Sequence, residues 1–123
     1  MSREYSVTKS FKFAFEGIKA VFKEEPNLRI HFIFAIFALV AAFLLGFSTI
    51  EWLILAFTIS FVLILELLNT ALEAIVDLVS PEIKPEAKIA KDVSAAAVFL
   101  AAAFSVVVGI VLFLPKILLV FRR

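Results

Sequence analysis

Residues 8–23 alternate on a helical period. Phe11, Ala14, Phe15, Ile18, Val21 and Phe22 line one face, and Lys9, Lys12, Glu16, Lys19 and Lys23 line the other. Such a helix lies in a membrane interface with its lysines toward lipid headgroups, or docks by its apolar face on another protein. Pro26 ends or bends it. Beyond this point the alternation gives way to apolar runs at 28–47, 51–79 and 87–113, each able to span a bilayer core of ~30 Å as a helix. Residues 46–51 make a tight polar connection, followed by Trp52 where an interfacial aromatic anchor would stand. Pro81 and Pro85 mark residues 80–86 as a loop. The second run is too long for hydrocarbon alone, so its last turns should reach the interface. The predicted fold is all-α and membrane-integral: a surface helix and three transmembrane helices forming one domain over residues 1–123.

Composition agrees. The chain is 63% hydrophobic with a mean hydropathy of +1.10, well above the apolar share of soluble domains. A net charge of +1 gives no broad basic field for nucleic acid. With no cysteine and one histidine, His31, thiolate sites and a polyhistidine metal centre are excluded within one chain. The first strongly apolar run begins only at Phe32, after a charged lead, and reads as a retained span rather than a cleaved signal. Arg3, Lys9, Lys12, Lys19, Lys23 and Arg29 precede or open the first span. Lys84, Lys88 and Lys91 follow the second, and residues 46–51 contain neither Lys nor Arg. The positive-inside bias therefore puts the N-terminus and the second loop in the cytoplasm. Lys116, Arg122 and Arg123 then fall outside, against the trend.

Candidate chemistry lies in residues 66–77, where Glu66, Asn69, Glu73 and Asp77 interrupt a stretch of Leu, Ala, Ile and Val. On an ideal helix these four side chains fall within an arc of roughly 80°. Each ionised group in lipid costs roughly 2.5–3.5 kcal/mol on insertion scales, so a stripe of acids there marks a function. The topology brings this stripe, Glu24 and Glu25, and the Lys91-Asp92 pair to one membrane face. Carboxylates suit Mg²⁺, which takes few protein ligands and binds through substrate phosphates. A lysine can meet phosphate as a compact cation, and a further carboxylate can take a proton from a hydroxyl nucleophile. Together these groups suit phosphoryl transfer from a soluble nucleotide to a lipid alcohol.

Gly17, Gly46 and Gly109 are the only glycines, so no glycine-rich phosphate loop is possible. Blander roles exist for the same residues. Glu66, Asn69 and Glu73 could form a network between helices, Asp77 could be a solvated interfacial acid, and Lys91 a snorkelling anchor. His31 reads as a structural hydrogen-bonder and Glu51 as an exposed helix-start acid. A small ion-coupled transporter would place its acid near the bilayer midplane, and the chain shows no inverted repeat. A noncatalytic assembly subunit is a third possibility.

The motif Glu66-Leu-Leu-Asn69-Thr70-Ala-Leu-Glu73-Ala-Ile-Val-Asp77, followed by Ala90-Lys91-Asp92, resembles the hallmark of the prokaryotic diacylglycerol kinase family. The resemblance runs from Gly17 through the third span. Glu25-x-Asn27-x-x-x-His31, Ile50-Glu51-Trp52 and Phe113-Leu-Pro115-Lys116 look most like its undecaprenol kinase branch in Gram-positive bacteria. The resemblance implies a lipid kinase that transfers the ATP γ-phosphate to undecaprenol, or alternatively to diacylglycerol. It implies Glu66 as general base, Glu25 and Glu73 as Mg²⁺ ligands, Lys91 on the transferred phosphate, and Gly17, Asn69, Asp77 and Asp92 around the nucleotide. It further implies a homotrimer in the bacterial inner or plasma membrane, with its active sites shared between protomers on the cytoplasmic face. The small residues Ala95, Ala96, Ala97, Ala101, Ala102 and Ala103 offer a surface for close helix packing. Two features depart from the family pattern: His31 replaces an acid of the diacylglycerol-specific branch, and Ser94 stands where glycine is frequent.

Overall fold

A helix followed by a sharp corner opens the chain. The computed structural model describes residues 6–123; Arg3 of the basic lead lies outside the described residues. The helices are α1 (Val7–Glu24), α2 (Pro26–Leu45), α3 (Thr49–Val79) and α4 (Pro85–Phe121), with no strand among the described residues. Each boundary has a local cause. The Ser6 side chain caps α1 by accepting from the Lys9 N–H. Pro26 sits at the first position of α2, where its missing N–H costs nothing. Gly46 closes α2 in the left-handed conformation, φ 69° and ψ 50°, which a side chain would strain. Ser48 and Glu51 exchange side-chain and backbone hydrogen bonds in a capping box that opens α3.

The third apolar run does not stop at residue 113. Helix α4 continues through Pro115 to Phe121. A proline deletes one helix bond, but in an apolar surround unwinding would leave more backbone groups unpaired than the proline does. Side chains on both sides of it also hold the helix. Phe113 packs on Phe47 with ring centroids 4.8 Å apart. Lys116 Nζ reaches Glu51 Oε1 at 3.1 Å and lies 5.5 Å from the centre of the Phe47 ring. Glu51 is thus a paired capping residue at 24% exposure rather than a simply exposed acid.

Helix α3 is central and packs chiefly on α4, and next on α2. Buried apolar side chains are few: Ala42, Phe47, Leu55 and Leu112 form one cluster near the Gly46 turn. Most large apolar residues point outward, Phe34, Phe37, Phe57, Phe99 and Phe104 among them. Helices α2, α3 and α4 are each long and apolar enough to cross a membrane, so a bilayer supplies the cover that the protein does not. At 1.5 Å per residue α3 and α4 are roughly 46 and 55 Å long, beyond the hydrocarbon core.

Candidate functional site

Glu66 is the buried charged residue of the described chain, at 3% exposure. The period of α3 turns it inward with Leu55 and Val62, the other buried residues of that helix. Its carboxylate faces His31 of α2, with Nε2 to Oε2 at 3.9 Å. That gap exceeds a direct hydrogen bond. Glu25 and Glu73 also lie within electrostatic reach of Glu66. Glu25 is placed there by the α1–α2 corner. Its N–H bonds the Val21 carbonyl at 2.8 Å, and Arg29 Nη1 closes the corner on the Lys23 carbonyl at 3.2 Å.

One helical turn along, Asn69 Nδ2 donates to Glu73 Oε1 at 3.4 Å. Its Oδ1 accepts from Ser94 Oγ of α4 at 2.7 Å. Farther still, Lys91 of α4 pairs with Asp77 and is within electrostatic reach of Glu73. The stripe 66–77 is therefore one continuous polar seam, met by α2 at Glu66 and by α4 at Asn69 and Asp77.

Two residues expected at the site stand apart from this seam. Asp92 pairs with Lys88 along the exposed face of α4. Gly17 lies on α1 with open space over its Cα. His31 and Ser94, by contrast, touch the seam although sequence spacing gave neither a functional role. Their contacts cross 35 and 25 positions of chain, and only helix packing brings them in.

An apolar groove of about 360 Å³ opens beside His31 and runs between α2, α3 and α4 toward Phe113. Ile30, Ala35, Leu63, Val106 and Gly109 are among its walls. Its two hydroxyls are already occupied: Thr58 donates to the Ile54 carbonyl and Ser105 to the Ala102 carbonyl. His31, which faces Glu66, is the polar end of this otherwise largely apolar groove, an arrangement that suits an amphiphile with one hydroxyl.

Among the described residues no three acids or histidines form a ready metal cage. The donor set fits a metal that arrives on phosphates. Two carboxylates, Glu25 and Glu73, lie within electrostatic reach of Glu66, and Mg²⁺ commonly takes one or two carboxylates with the remaining positions left to phosphate and water.

Comparison with known proteins agrees with this architecture. The sequence profile of prokaryotic diacylglycerol kinase matches residues 12–113. A diacylglycerol kinase of Synechocystis sp. is 46% identical over 110 residues, covering 89% of this chain and 63% of that protein. An undecaprenol kinase of Bacillus subtilis is 42% identical over 109 residues, 89% of each chain. A diacylglycerol kinase of Haemophilus influenzae is 35% identical over 102 residues, 83% of this chain and 84% of that one. The chain belongs to the prokaryotic diacylglycerol kinase family, a family of membrane lipid kinases.

Proposed function

We propose that the protein transfers the γ-phosphate of ATP to the hydroxyl of undecaprenol, giving ADP and undecaprenyl phosphate. The observation that carries this reading is a buried carboxylate, Glu66, facing His31 at the mouth of an apolar groove. The lipid hydroxyl sits beside the pair, within hydrogen-bond reach of Glu66, with its chain along the groove. Glu66 removes the hydroxyl proton as the oxygen attacks the γ-phosphorus in line. The new O–P bond forms as the bond to the ADP oxygen breaks, with no phosphoenzyme.

Glu25 and Glu73 hold Mg²⁺, whose charge offsets that of the ATP phosphates. Lys91 swings from Asp77 to the transferred phosphate. Asn69 and Asp77 line the nucleotide side, while Asp92, paired with Lys88, and Gly17 on α1 stand apart from it. Trp52 marks the far interface, and 14 positions along α3 place Glu66 ~21 Å beyond it, past the midplane and toward the near face. A soluble nucleotide can reach that depth from the cytoplasm, the side to which the lysine bias assigns the α3–α4 loop.

Relatives bearing both substrate names match at similar identity, and one groove serves the single chain of a polyprenol. The deciding experiment is transfer from labelled ATP, with Mg²⁺, to undecaprenol and to diacylglycerol in matched mixed micelles. Undecaprenol is the expected acceptor. Glu66→Gln should lower transfer by about 10²–10⁴-fold while helix content is kept. Preference for diacylglycerol overturns the substrate, and transfer to neither from folded protein overturns the kinase reading.

A further inference from the structure

We propose that Ser94 is a positioning residue of this site, holding the Asn69 amide so that it presents Glu73 correctly. The inference rests on the kinase reading, in which Glu73 serves the Mg²⁺-nucleotide. An Asn amide accepts at one end and donates at the other. Ser94 Oγ donates to Oδ1 at 2.7 Å, a short contact across two helices. The opposite end donates to Glu73 Oε1 at 3.4 Å, a long contact that depends on where the amide is held.

Beside the pair is a hollow of about 330 Å³, lined by Leu68, Leu72, Ala97, Asn69 and Ser94 themselves. An Asn69 side chain released by Ser94 has that space to turn into, and the turn would withdraw its N–H from Glu73. With the amide held, one Glu73 oxygen is engaged and the other is left for a cation. Ser94 stands three residues after Lys91, on the same face of α4. That helix therefore delivers two groups to the acid stripe, one for charge and one for alignment.

The test combines a structural and a kinetic readout. The chain has two asparagines, Asn27 and Asn69, so protein labelled with ¹⁵N-asparagine shows two side-chain amides, assigned with Asn27→Gln. Ser94→Ala is expected to shift the Asn69 amide resonance and speed its hydrogen exchange. In the lipid-kinase assay it should raise the Mg²⁺ concentration for half-maximal rate by about threefold to tenfold, with kcat at saturating Mg²⁺ changed less than about twofold. Ser94→Thr, which keeps the hydroxyl, should restore both. An unmoved Asn69 amide in Ser94→Ala overturns the proposal whether or not the protein proves to be a kinase. So does a shifted amide with unchanged Mg²⁺ dependence. Equal losses of kcat and thermal stability in Ser94→Ala and Ser94→Thr would assign the position to packing and overturn it too.

Discussion

Lys91 is held in place before any phosphate arrives. Its partner Asp77 is 65% exposed and Lys91 itself 40% exposed, so the pair is solvent-screened and weak. A phosphate in the site competes easily with such a partner, because a hydrogen bond to a charged group contributes about 1.5–3 kcal/mol. Lys91→Ala should therefore lower kcat/KM for ATP about 10- to 100-fold. Asp77→Asn, which frees the lysine without removing it, should cost less than about tenfold. Steady-state kinetics of the two variants checks this order, and a larger loss from Asp77→Asn would move the principal role to the acid. At this scale the helical period alone exposed Glu66, Asn69, Glu73 and Asp77, since one helix carries all four. It could not show His31 or Ser94, whose partners lie on other helices. Nor could it show that Asp92, adjacent to Lys91, turns to Lys88 instead of the seam.

The element that departs most from its sequence pattern is α4. A proline after a long apolar run reads as a stop, yet the helix passes through Pro115 because Phe113 and Lys116 grip the α2–α3 turn on either side of it. That grip pairs Lys116, one of the cations against the lysine bias, with Glu51 at the start of α3. Helices α2, α3 and α4 each begin two residues before the apolar runs read at 28, 51 and 87, because Pro26 and Pro85 open α2 and α4 and Ser48 caps α3. The Lys116–Glu51 pair is about one-quarter exposed at each partner and gains a ring contact, so a small favourable coupling is expected. A double-mutant cycle of Lys116→Met and Glu51→Gln, read by thermal unfolding in detergent, measures it. Additive single effects would mean that Pro115 is bridged by apolar packing alone. The kinase rate should be nearly unaffected, since Glu51 lies 15 positions, ~22 Å, along α3 from Glu66.

At the scale of the whole molecule, one chain covers its polar seam incompletely. Glu66 is buried, but Asn69, Glu73 and Ser94 are only half-buried. The hollow beside Asn69 and Ser94 is otherwise walled by Leu65, Leu68, Leu72, Ile75 and small alanines, and so opens on a lipid-like face. Polar groups facing hydrocarbon are unfavourable, and close packing against another helix is the usual remedy where small residues permit it. Ala97 on the rim of the hollow, with Ala95 and Ala96 beside it, is exposed and small. We propose this as the surface on which a second copy closes the site, if the chain forms the trimer that the resemblance implies. Ala97→Trp fills that approach without touching Glu66, Glu73 or Lys91. The expectation is that wild-type protein in nanodiscs runs as a trimer by native mass spectrometry, and that Ala97→Trp shifts it toward monomer with helix content intact. Transfer to lipid should fall in proportion to the trimer lost. An active monomer would show that one chain completes its own site, and an intact but inactive Ala97→Trp trimer would place the indole in the hollow rather than between subunits.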